Sequence, residues 1–154
     1  MILINPKKER VRYVLQINFP APSKVEIDYQ GLFQGMRLGR ASGAQNIIIR
    51  GNSCTITQNV AGASRMNRDK LVRYQDYFDM WQRRFHSCKL HHITRARNKQ
   101  ANMLANIGAA KAKVPPGVLF KHINHRSIRR WHPQATRQAQ VFRQKPDQED
   151  VPSK

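Results

Sequence analysis

The stretch NIIIRGNSCTIT, residues 46–57, joins three consecutive isoleucines to a small polar ledge. The apolar run is continuous, as expected of a strand covered on both faces and therefore central in its sheet. It stops abruptly at Gly51, Asn52 and Ser53. Ser53 is placed to cap a short helix over CTITQNVA, residues 54–61, ended by Gly62.

Upstream, MILIN and RVRYVLQINF flank the turn PKKE and predict a β-hairpin. Val11, Tyr13, Leu15 and Ile17 alternate with Arg12, Val14 and Gln16, giving one apolar and one mixed face. Ser23 and Glu26 form a capping-box pair, and Val25, Tyr29, Leu32, Met36 and Arg40 share one side of a helix that stops near Gly43. Downstream, Asp69 opens a longer helix with Leu71, Tyr74, Phe78, Trp81 and Phe85 at helical spacing, a core stripe. SCKLHHIT returns to period two, and NKQANMLANIGAAKA predicts a helix packed closely through its alanines. VPPG, residues 114–117, interrupts the pattern, and beyond it Gln, Arg and His dominate an extended, disordered-type composition. The order predicts an α/β domain with a mixed sheet and flanking helices.

At 154 residues with 40% apolar content, the chain fits one domain with a tail. Its 28 Lys and Arg against nine Asp and Glu give +19, which points to a polyanionic partner: nucleic acid first, an anionic membrane second. Residues 1–120 hold 20 basic and six acidic residues (+14), and 121–154 hold eight and three (+5), so the excess is not confined to a tail. Arg37 and Arg40, then Arg65, Arg68, Lys70 and Arg73, then Arg95, Arg97 and Lys99 are the candidate phosphate contacts. Solvated faces are the plainer explanation of such clusters, but +14 over the core exceeds what solubility needs. Nothing resembles a base-reading motif.

The histidines of HSCKLHH and KHINHRSIRRWH lack the paired cysteines and spacing of a zinc site. Cys54 and Cys88 read as reduced structural thiols. No run of eighteen apolar residues occurs, apolar residues precede the first charges, and the tail's Ile128, Trp131, Val141 and Phe142 are too sparse for a membrane face. An intracellular protein, nuclear or cytoplasmic, with no membrane contact is expected.

LINPKKERVRYVLQINF, SKVEIDYQGLFQGMRLG, IIIRGNS, CKLHHITRARN and NKQANMLANIG, in that order, resemble the type 1 ribonuclease H domain of gypsy-class LTR retrotransposon polyproteins. VPPGVLFKHINHRSI is similar to the segment that follows this domain in plant elements of that class. The resemblance implies residues 1–113 as the ribonuclease H-like domain, 114–128 as the segment before an integrase, and 129–154 as a basic, disordered tail.

That family cleaves the RNA strand of RNA/DNA hybrids with two divalent metals held by four carboxylates. Closely spaced cations need several negative ligands, which neutral groups do not replace. By resemblance, the second ligand falls on Asp28, the third on Asn52 and the fourth on Asn102. The first belongs to a strand preceding the hairpin, and Met1 already stands inside the second strand. That strand, the middle of the family's sheet, is therefore expected to be missing, with two open edges facing a gap.

The resemblance thus implies a domain that binds RNA, DNA or hybrid through phosphates and has lost hydrolysis. No cofactor is expected, with Mg2+ or Mn2+ required if hydrolysis survives. The alternatives are an active hybrid ribonuclease relying on Asp28, a protein-interaction remnant that self-associates or receives a partner's strand, and a product without selected function.

Overall fold

The computed structural model describes residues 1–20, 22–53, 56 and 68–128. In chain order these form β1 (Ile2–Ile4), β2 (Arg10–Ile17), α1 (Lys24–Ala41), β3 (Asn46–Gly51), α2 (Arg68–Gln82), β4 (Ser87–His92), a 3-10 turn (Arg95–Asn98), α3 (Lys99–Ala110) and β5 (Leu119–Ile123). The expected short helix over 54–61 lies almost entirely outside the described residues. Only Ile56 is seen there, buried in the core.

Strand pairing is mixed. β1 runs antiparallel to β2, with Leu3 opposite Val11, and β2 runs parallel to β5, with Leu15 opposite Lys121. β3 and β4 form a separate parallel pair in which Ile49 faces Leu90. Among the described residues no strand joins these two sheets. Helices span them instead. A Cβ on Gly35 of α1 would meet the Met1 sulfur at 3.4 Å, and one on Gly39, a turn further along, would meet Ile47 Cδ1 at 3.3 Å. The same helix face thus touches the end of one sheet and the start of the other.

β3 departs from expectation. Its exposure alternates, with Ile47 and Ile49 turned to the core and Ile48 55% exposed. The helices cover one face only, and β4 is its single strand neighbour among the described residues. In β2 the buried residue is Val14, from the face read as mixed, because α3 packs there. Gly108 makes that contact, not the alanines: a Cβ on it would overlap the Leu15 carbonyl oxygen.

α1 begins with the reciprocal capping box, Ser23 Oγ accepting from Glu26 N and Glu26 Oε2 from Ser23 N. Its buried face carries Tyr29, Phe33 and Met36, joined in the core by Leu71, Tyr74 and Trp81 of α2. Tyr29 stacks on Tyr74 with ring centroids 5.2 Å apart.

Residues 114–128, read as a linker, are part of this body. β5 extends the hairpin sheet, Arg126 donates to Glu26 and to the Pro20 carbonyl, Ser127 donates to Gln30, and Ile128 is buried. Strand pairing satisfies the backbone here without the apolar density that a sequence reader looks for. Residues 129–154 lie outside the described part.

Candidate functional site

The ledge after β3 lies beside α1 and the start of α3. Asp28 comes from α1 and accepts a hydrogen bond from the Ser53 hydroxyl. Burial raises its pKa, while that bond and the Lys24 charge oppose the rise. Asn52, next to Ser53, offers its side-chain carbonyl to Asn98 Nδ2 at 3.0 Å. Asn98 stands at the N-cap of α3, and Asn102, four residues on, shares its side of the helix. The Asn102 Nδ2 is buried and has no hydrogen-bond partner. Two side-chain bonds therefore gather Asp28, through Ser53, and Asn98, through Asn52, at one end of β3, with Asn102 one turn further along α3. Asn98, which ties Asn52 in place, was not singled out from the sequence. Its only signal was an asparagine one helical turn before Asn102.

These residues do not fit a pair of divalent cations. Asp28 is the sole carboxylate of the three, and Asn52 has committed its one carbonyl oxygen to Asn98. No group of three His, Cys, Asp or Glu side chains suited to a metal occurs among the described residues. Hard cations depend on anionic oxygen, and two of these positions supply none.

The neighbouring carboxylate has a structural task. Glu26 is 1% exposed, 2.6 Å from Arg126 Nε and 3.3 Å from Lys70 Nζ, and it accepts from Tyr74 OH at 3.1 Å. Burial alone would raise its pKa, but hydrogen bonds from Arg126, the Ser23 backbone and Tyr74 bring it down to about 2. Gln30 donates to the same tyrosine oxygen and accepts from Ser127. The network fastens residues 126–128 to α1 and α2.

Not all the predicted cations face outward. Arg37 donates to Tyr77 OH at 2.6 Å and lies over the Trp81 ring, Lys70 pairs with Glu26, and Arg73 donates to the Ile128 carbonyl at 2.6 Å. Those three side chains are engaged inside the fold. Arg65 lies outside the described residues, and the Arg68 side chain is not described. Arg40, Arg95, Arg97 and Lys99 are exposed. Lys89 of β4 and Arg50 of β3, on the open face of the β3–β4 pair, are exposed as well. A sequence signal for that half was available: no Asp or Glu occurs between residues 80 and 146.

Beside Asn102, one side of α3 borders an open cavity of about 680 Å3 whose lining includes Arg95, Lys99, Met103 and Asn106. No helix among the described residues is long and apolar enough to cross a membrane.

The sequence matches the model of a family described as "Reverse transcriptase-like" over residues 1–108. Among solved structures it is similar to RNase H1 from the halophilic archaeon Halobacterium salinarum NRC-1. The identity is 24%, the TM-score is 0.52, and the match covers 59% of this chain and 69% of that one. That likeness establishes a ribonuclease H-like fold. No curated protein matches the sequence.

Proposed function

The chain belongs to the reverse transcriptase-like family, and on that premise we propose that it is a nucleic-acid-binding ribonuclease H-like domain, descended from a retrotransposon polyprotein, that does not hydrolyse hybrids. One observation carries the loss of hydrolysis: Asp28 alone is anionic among the matched metal positions, and Asn52 is bonded to Asn98. Two-metal hydrolysis needs ligand charge to hold the cations that generate the nucleophile and stabilise the leaving oxygen. Binding needs only accessible cations. Arg40, Arg95, Arg97 and Lys99 provide these, as do Arg50 and Lys89.

The direct test is a labelled RNA/DNA hybrid with Mg2+ or Mn2+. Bound, uncut hybrid is the expected result. Metal-dependent cleavage that disappears in Asp28→Ala would instead establish the active ribonuclease.

A second role is supported by the two sheets that no described strand joins, with Ile4 and Ile48 exposed on them. Self-association, or pairing with a partner's extended segment, would satisfy such edges. A concentration-independent melting temperature, together with a monomeric sedimentation coefficient, would count against self-association. Hybrid affinity that stays flat from low to high salt would favour a protein partner over phosphate binding.

A further inference from the structure

The side of α3 that borders the cavity carries, beside Asn102, residues that none of the metal positions includes. Arg95, Lys99, Asn102, Met103 and Asn106 follow one another at spacings of three, four and one, so they line one flank of the helix and the turn before it. Arg95 and Lys99 are exposed and form no ion pair among the described residues. No Asp or Glu occurs between residues 80 and 146, so neither the turn nor α3 itself carries a carboxylate that could pair with them. Met103 is 54% exposed, whereas its neighbour Leu104 is buried. A large apolar side chain therefore stands in solvent next to two unpaired cations, with Ile107 continuing the apolar floor and Asn106 offering an amide at its edge.

The complementary ligand is anionic at one end and flat and apolar at the other. A duplex presents phosphates but keeps its bases stacked inside, so the apolar floor would contribute nothing to it. An unpaired strand presents both. A methionine thioether makes favourable contact with aromatic rings, which suits a base. We propose that this groove binds an unpaired nucleotide of a single strand, its phosphate between Arg95 and Lys99 and its base against Met103 and Ile107. The proposal rests on the nucleic-acid-binding function above and adds to its phosphate contacts a site for an unpaired base, which gives single-stranded segments an advantage over duplex.

The full chain is tested by fluorescence anisotropy at one fixed salt concentration. The probes are a labelled single-stranded oligonucleotide, the same strand with consecutive abasic sites, and the blunt duplex of the same sequence. Wild type is expected to bind the intact single strand more tightly than the abasic one. Met103→Ala, an exposed change whose melting curve should match wild type, is expected to weaken intact single-strand binding about three- to tenfold. It should leave the abasic strand and the duplex unchanged. Lys99→Ala should weaken all three. Equal affinity of wild type for intact and abasic strands, or a Met103→Ala effect that is absent or equal on all three probes, would overturn the proposal while the general binding function stands. A wild type that binds no probe would overturn both.

Discussion

The side-chain carbonyl of Asn52 accepts a hydrogen bond from Asn98 Nδ2 at 3.0 Å, joining the end of β3 to the N-cap of α3. A metal ligand at this position would present its oxygen to the cation, but this oxygen faces an amide donor. Asn52→Asp keeps an acceptor for Asn98 and supplies charge at one position only. The expected outcome is a protein that melts within about 0.5 kcal/mol of wild type and does not cleave hybrid. Thermal melts and the hybrid assay check both halves, and cleavage by this single variant would contradict the account of the ledge.

Glu26 gives the clearest pH dependence. Its folded pKa of about 2 lies below the ordinary value of 4.5, so the stability it contributes is present above about pH 4.5 and is lost as pH falls towards 2. Glu26→Gln leaves Arg126 and Lys70 without their carboxylate. Full burial of such a pair would make the loss about 3–5 kcal/mol; both cations are partly exposed here, so about 2–3 kcal/mol is expected. Denaturant melts between pH 2.5 and 7 should show wild type approaching the variant at the acid end.

Gly108 and Gly31 should respond oppositely to alanine. At Gly108 the new Cβ would overlap the Leu15 backbone oxygen, which cannot swing aside as a side chain can, so destabilisation of about 1–3 kcal/mol is expected. At Gly31, inside α1, nothing lies within 4 Å, and alanine should stabilise by up to about 1 kcal/mol through helix propensity. Paired chemical melts read both signs.

Arg37 and Lys99 should separate stability from binding. Arg37→Ala removes the bond to Tyr77 and the packing on Trp81, so it should lower the melting temperature and leave the salt slope of nucleic-acid binding intact. Lys99→Ala should leave melting unchanged and reduce that slope by about 0.7–0.9 for each lost phosphate contact. Affinity titrations at several salt concentrations measure the difference.

Much of this fold was legible in local signals. The Ser23–Glu26 capping box, the hairpin around PKKE and the stripe Leu71, Tyr74 and Trp81 lie where their spacing placed them, whereas Phe85 reaches the core from beyond the end of α2 at Gln82. Facing was harder to read, because neighbours decide it. Ile48 belongs to an apolar triplet yet is exposed, and Val14 sits among polar residues yet is buried under α3. β5 was missed because LFKHI pairs by backbone register with a strand a hundred residues away, a relation that no short window contains. The candidate site divides the same way. Asp28, Asn52 and Asn102 were found through resemblance, whereas the internal engagement of Arg37, Lys70 and Arg73 depended on long-range partners.

The most direct measurement is hybrid cleavage under conditions where binding is independently confirmed. The 154-residue chain is incubated with RNA/DNA hybrid labelled on the RNA strand, with Mg2+ and separately with Mn2+, and bound and cleaved fractions are read from the same samples. The account predicts salt-sensitive binding with intact RNA under both metals, for wild type and Asp28→Ala alike. RNA fragments that require metal and vanish in Asp28→Ala would contradict it.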